Sequence, residues 1–345
     1  MLSAFASGHD LEDDFQTYPE FVMPNAPHLD PKAHASTDAN RPARTLLRVN
    51  VFNTSSNLPL LAAIEAGYFD ERGLHIEVHN TLNSDEQRAG LAAGRFEIAH
   101  AAVDNAVALV EAGHDAVIVC GGDAGMNDFM VRAEINRLDD LRGKLLAVDA
   151  PNTAYALAAK KILKNHGLLE GRDYAVKLAG GTGPRAAAMV ADPELAAGMI
   201  NPPFSFLLRQ QGLKSLGSQF DLLGPYQATG AFVMRNWAGA NAESLAHYLA
   251  AYVRGQRDVM NPARRSDMLA LLARSFKLSD AVAEGTYAAL VQPGSGLAPD
   301  AAFSLPGFAT VLAIRAEMEG MWGGQAPAPD KYLDLSFYAR ALGTD

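Results

Sequence analysis

The chain has 345 residues, a formal charge of −10, 49% hydrophobic and 20% charged positions, and a single cysteine. It is long enough for an ordinary buried core and two lobes. An acidic balance without a clustered Lys/Arg face argues against nucleic acid or an anionic membrane as partner, and one cysteine excludes an internal disulfide.

Residues 1–45 lack the basic and apolar regions of a secretory signal. They run through Gly8-His9-Asp10-Leu11-Glu12-Asp13-Asp14 and then Pro19, Pro24, Pro27, Pro31 and Pro42, a composition expected to form an extended or disordered leader. Two locations follow: periplasmic if the true start lies upstream, cytoplasmic if Met1 is the start. No run of about 18 apolar residues occurs, so no integral membrane segment is expected.

Short β-rich runs then alternate with helical patterns, which predicts parallel sheets flanked by helices. First-lobe strands are expected at Leu47–Phe52, His75–His79, Glu97–Ala101 and Ala116–Cys120, with helices at Leu58–Ala66, Asp85–Ala93 and Asn105–Ala112. A strand at Asp128–Glu134 crosses to a second lobe. There follow Leu145–Asp149, a helix at Ala154–Asn165, Tyr174–Leu178, a helix at Pro184–Val190, Ala197–Asn201 and a helix at Phe204–Gln211. The chain returns along Gly230–Arg235, expected to pair near Asp128–Glu134, and ends in helices after Glu243. This divides the chain into lobe 1 (46–125 with 236–345), hinge strands (126–134 and 226–235) and lobe 2 (135–225).

Three motifs in this order carry a resemblance. An apolar helix runs into Glu65-Ala66-Gly67-Tyr68-Phe69-Asp70-Glu71-Arg72-Gly73-Leu74. Leu138-Asp139-Asp140-Leu141-Arg142-Gly143-Lys144 precedes the second-lobe strands, and Met199-Ile200-Asn201-Pro202-Pro203 ends one of them. Residues 46 to about 260 thereby resemble the nitrate/sulfonate/taurine and thiamine-pyrimidine-precursor family of type II periplasmic-binding-protein-fold proteins. The resemblance implies an α/β fold of two lobes with parallel-rich sheets, two hinge strands and a ligand cleft.

Ligands of such sheets sit at the carboxyl ends of the strands, so the polar elbows there are the candidate site. In the first lobe these supply Asn53, Thr54, Ser55, Asn57, Ser84, His100, Asp104 and Asp123. The second lobe supplies Asn152, Thr153, Tyr155, Thr182, Arg185, Asn201 and Phe204. Elbows that open helices present free amide hydrogens and favour an anionic group. Ordinary capping explains Asn152 and Thr153 equally well, and Arg185 reads either as an anion partner or as a solvated side chain on a flexible glycine turn. The resemblance carries ligand contact onto Thr54, Ser55 and Asn57. Tyr155, Phe204 and Tyr226 form a stacking wall or plain core.

The reading is a solute-binding protein that closes on a small organic ligand, anionic or aromatic, without cofactor or metal, and docks on an ABC-type permease if exported. The alternative is a cytoplasmic enzyme on the same fold, acting on a small aromatic or heterocyclic acid. His79, His100 and Asp104 would be its catalytic groups, with Arg88 and Asp123 nearby. Desulfinases of this fold use a cysteine after the first strand, where this chain has Asn53-Thr54-Ser55-Ser56. Its one thiol, Cys120, ends an apolar strand and reads as core.

Overall fold

The computed structural model describes residues 44–343. Apart from Arg44 and Thr45, the expected leader lies outside the described residues. The chain forms two five-stranded sheets, each mostly parallel with one antiparallel strand.

The first sheet begins with β1 (Thr45–Phe52), α1 (Leu58–Glu65), the short α2 (Tyr68–Glu71) and β2 (Leu74–Thr81). The turn from α1 to β2 works because Gly67 and Gly73 take φ of 74° and 71°, a left-handed backbone that costs glycine nothing. After α3 (Ser84–Ala92) come β3 (Ile98–Ala102), α4 (Asp104–Glu111) and β4 (Ala116–Gly121). Asn83 caps α3, its side-chain oxygen accepting the Glu86 N–H at 2.8 Å. All six β4 residues are buried, as a continuous apolar run requires.

The chain crosses through residues 122–127 into β5 (Asp128–Val131) and then β6 (Leu145–Val148), α5 (Ala154–Asn165), β7 (Ala175–Leu178), α6 (Thr182–Ala191), β8 (Leu195–Ile200) and α7 (Phe204–Gln210). Two elements follow that the hydrophobic pattern did not signal, β9 (Lys214–Ser218) and α8 (Gln219–Leu223). β9 is a half-buried edge strand of sequence KSLGS, too polar and too short to show a strand period. Residues 224–228 cross back to β10 (Thr229–Met234).

The expected pairing of the two crossing strands is not formed. β10 lies inside the first sheet, antiparallel between β3 and β4, while β5 lies inside the second, antiparallel between β8 and β9. Each is the strand by which the chain enters a lobe, and only burial in that lobe's sheet satisfies both of its hydrogen-bonding edges. The two crossings meet instead at Asp123: its carbonyl accepts the Ala228 and Thr229 N–H groups at 3.0 and 3.3 Å, and its carboxylate accepts the Thr229 hydroxyl.

The remaining helices are α9 (Arg235–Ala240), α10 (Ala242–Met260), α11 (Arg265–Phe276), α12 (Asp280–Leu290), α13 (Leu305–Glu319) and α14 (Ser336–Leu342). α10 lays Leu245, Tyr248, Leu249, Tyr252 and Val253 on the first-sheet residues Val49, Val51 and Val119. α11 and α12 bury Met268, Leu271, Leu272 and Leu290 against Leu58 and Leu61 of α1. α13 packs on α5 of the second lobe, where Lys161 and Lys164 pair with Glu317.

Candidate functional site

The carboxyl ends of β1, β3, β6 and β8 face one another, and the elbows leaving them enclose a cavity between the sheets. Its empty space is about 670 Å³, including the open solvent at the mouth. The lobes touch around it. Ser55 Oγ donates to the Pro202 carbonyl at 2.8 Å, and the Gly181 N–H donates to the Leu82 carbonyl at 2.9 Å. Ser84, at the start of α3, donates its N–H and hydroxyl to Asp149 Oδ2 at 3.2 and 2.6 Å.

Nine of the expected residues line this cavity: Thr54, Asn57, Ser84 and His100 from the first lobe, and Thr153, Tyr155, Thr182, Arg185 and Asn201 from the second. Arg185 is not the solvated side chain that its glycine turn allowed. It is 3% exposed, and its Nε and Nη2 donate to the Met199 carbonyl at 3.2 and 2.9 Å. Nη1 donates to the Gly180 carbonyl at 2.7 Å, and Nη2 also reaches the Thr182 hydroxyl at 3.3 Å. Every one of these acceptors is neutral. Burial lowers the guanidinium's affinity for its proton and the charge of the nearby Asp149 carboxylate raises it; the arginine remains charged, so the wall holds a cation whose hydrogen bonds all go to neutral oxygens.

Thr153 begins α5 without capping it. Its hydroxyl donates to the Ala150 carbonyl at 2.9 Å, so the elbow presents the free N–H groups of the first turn rather than a hydroxyl proton. Asn57 donates to the Phe52 carbonyl, and Thr54 shares a 2.7 Å bond with Ser56. His100 Nε2 sits 2.8 Å from the Tyr248 hydroxyl, with the Tyr252 ring at 4.6 Å. Burial pushes the imidazole's pKa down to about 3, so it is neutral across the physiological range. Desolvation raises the Tyr155 phenol above its ordinary value.

The other expected residues do not reach the cavity wall. Ser55 is fully buried as a bond between the lobes. Asp104 is spent in an ion pair with Arg315, and Asp123 holds the crossings together. Asn152 is exposed and offers its carbonyl to Arg315 at 3.0 Å. Asn53 lies half-buried at the end of β1, while Phe204 and Tyr226 are core.

The catalytic set expected for an enzyme is not brought together. His79 is exposed on β2 beside Glu77, and β1 separates its strand from that of His100. Arg88 donates to Asn105 at 2.9 Å and pairs with Asp85. Among the described residues no group of three or more His, Cys, Asp or Glu stands together as a metal site, and no helix is long and apolar enough to cross a membrane.

Ser56, Asn105 and Gly181, from the elbows 53–57, 102–105 and 180–185 that the sequence marks as the candidate site, also line the wall, and three lining residues that sequence reasoning passed over are Phe52, Asp149 and Thr229. Asp149 closes the expected strand Leu145–Asp149, and a charge ending an apolar strand was the available signal. Nothing local marks Thr229, which enters the cleft only because β10 inserts beside β3.

Two five-stranded sheets joined by two crossings, with a cavity between them, define a two-lobed periplasmic-binding-protein-type fold. Solved structures agree. A protein from Bordetella bronchiseptica superposes with a TM-score of 0.76 at 18% identity, covering 88% of this chain and 98% of that one. The alkanesulfonate-binding protein SsuA from Xanthomonas axonopodis pv. citri, bound to MOPS, gives 0.65 at 20% identity, with 84% and 96% covered. The periplasmic nitrate-binding protein NrtA from Synechocystis gives 0.70 at 14%, with 88% and 90% covered. Among curated protein sequences none matches significantly. The family model of the NMT1-like family matches residues 40–273, and the chain belongs to that family.

Proposed function

We propose that this protein is a solute-binding component of an ABC-type import system that closes its lobes on a small organic acid. The observation that carries this reading is the buried Arg185 guanidinium, which lines an interlobe cavity with only neutral acceptors bonded to it. An acidic group at that wall gains a charge-assisted partner and the first-turn amides of α5 and α6. Phe52 and Tyr155 supply apolar faces for the rest of the molecule. The sulfonate- and nitrate-binding neighbours support the same reading.

In this reading residues 46–125 with 236–345 form one lobe and 135–225 the other, moving about the crossings joined at Asp123. A ligand touching both walls selects the closed state. The closed form then docks on a permease.

Titration calorimetry with small carboxylates and sulfonates tests the proposal. At least one should bind and be recovered unchanged, and Arg185→Met should weaken it by about tenfold or more, the loss of a charge-assisted bond. Chemical conversion of the bound compound, or affinity unaltered in Arg185→Met, would overturn it.

A further inference from the structure

Tyr248 of α10 is wholly buried, its ring stacked on Phe69 with centroids 5.2 Å apart. Its hydroxyl has one hydrogen-bond partner among the described residues, His100 Nε2 at 2.8 Å. A phenol in an apolar core needs an acceptor for its proton, because a buried O–H left unmet costs the desolvation of that group. The proton therefore points at Nε2, and Nε2 accepts it.

An imidazole nitrogen that accepts carries no proton, so the neutral ring holds its hydrogen on Nδ1. The ring is neutral because no carboxylate pairs with it and burial disfavours its charge. Nδ1 meets no protein acceptor among the described residues, and it is not sealed inside the core. It belongs to a ring that lines the interlobe cavity, held in place by the Tyr248 bond and by the Tyr252 ring 4.6 Å away.

We propose that His100 is a specificity-determining donor: the Tyr248 hydroxyl locks it as the Nδ1–H tautomer, and that N–H meets an acceptor atom of the bound solute. This rests on the solute-binding reading and adds to it a contact from the first lobe, whereas Arg185 lines the cavity from the second. A fixed neutral N–H welcomes an oxygen or ring-nitrogen acceptor and turns away a second donor, since it has no lone pair to offer on that side. Tyr248 touches only the histidine and is a positioning residue.

Nitrogen spectra of the imidazoles in the full-length protein test the lock without any ligand. The His100 signals, assigned by their loss in His100→Asn, should show a protonated Nδ1 and an unprotonated Nε2. Tyr248→Phe, which keeps the ring packing, should let both nitrogens share the proton. Calorimetry with acetate, benzoate, methanesulfonate and benzenesulfonate tests the contact. His100→Leu should weaken the tightest of these by about threefold or more, the loss of one hydrogen bond. His100→Asn, whose amide N–H stands near the place of Nδ1–H, should recover most of that loss. A packing role alone would make affinity follow the melting temperature, with Asn no better than Leu. That outcome, a proton on Nε2 in the native protein, or unaltered affinity in a folded His100→Leu overturns the inference while the solute-binding reading stands. Should His100→Leu not fold, an unshifted tautomer in Tyr248→Phe overturns it. If none of the four compounds binds, both readings fail.

Discussion

Arg315 on α13 closes a two-pronged ion pair on Asp104, at 2.7 and 2.6 Å, and the same guanidinium donates to the Asn152 carbonyl at 3.0 Å. One cation thus ties the start of α4 in the first lobe and a C-terminal helix to the elbow before α5 in the second. Both ionic side chains are 4% exposed or less. Removing one partner leaves an uncompensated buried charge, which costs about 3–5 kcal/mol. Asp104→Leu and Arg315→Met should each lower the urea midpoint accordingly, and the double variant Asp104→Leu with Arg315→Met should be far more stable than the sum of those two losses implies. Additive losses in this cycle would show that the pair does not act as a unit.

At Gly181 the lobes meet backbone to backbone, its N–H donating to the Leu82 carbonyl. A Cβ there would stand 2.8 Å from the Leu82 carbonyl oxygen, closer than real Cβ contacts allow, and 3.1 Å from the Phe52 ring, a tight contact. Its own dihedral angles are ordinary. Gly181→Ala should therefore spare each lobe and prevent full closure. Small-angle scattering should report a more open molecule with a melting temperature within a few degrees of the parent, and ligand affinity should fall.

His100 makes stability depend on pH in a definite direction. Its ordinary value of 6.5 falls to about 3 in the folded protein because burial disfavours the charged ring. Between those values the unfolded chain binds a proton that the native chain does not. The contribution is therefore fully present above pH 6.5 and lost as pH falls, by about 1.4 kcal/mol per unit. Urea melts at pH 7.5 and 5 should show about 2 kcal/mol more acid loss in the parent than in His100→Gln. An imidazole resonance of His100 that titrates near 6.5 in the native protein would contradict this.

Cys120 is fully buried in β4, and desolvation pushes its thiol up to about 12. The thiolate is the reactive form. A disulfide reagent at pH 8 should leave the native thiol untouched and label it at the rate of unfolding, and a bound ligand should slow that labelling by mass action. Rapid labelling of the folded protein would place the sulfur on the surface.

Much of the fold follows from local pattern, because strand and helix periods and glycine turns are short-range properties. Leu47–Phe52 alternates and pairs, β4 is apolar throughout and central in burial, and Gly67 and Gly73 turn the chain as their lack of a Cβ permits. The elbows that line the cavity were legible for the same reason, since strand ends and helix starts show in sequence.

What each polar residue in those elbows does was decided by partners far along the chain. Asp104 reads like a cleft carboxylate until Arg315, 211 residues away, claims it. Arg185 reads like a surface cation until the Met199 and Gly180 carbonyls bury it. Asp149 and Thr229 join the site only because β6 and β10 take their places in two different sheets. Sheet membership of β5 and β10 likewise lay outside local reach: an apolar run of four to six residues suits any interior slot, and only the tertiary structure, by satisfying both edges of each strand, assigns it one.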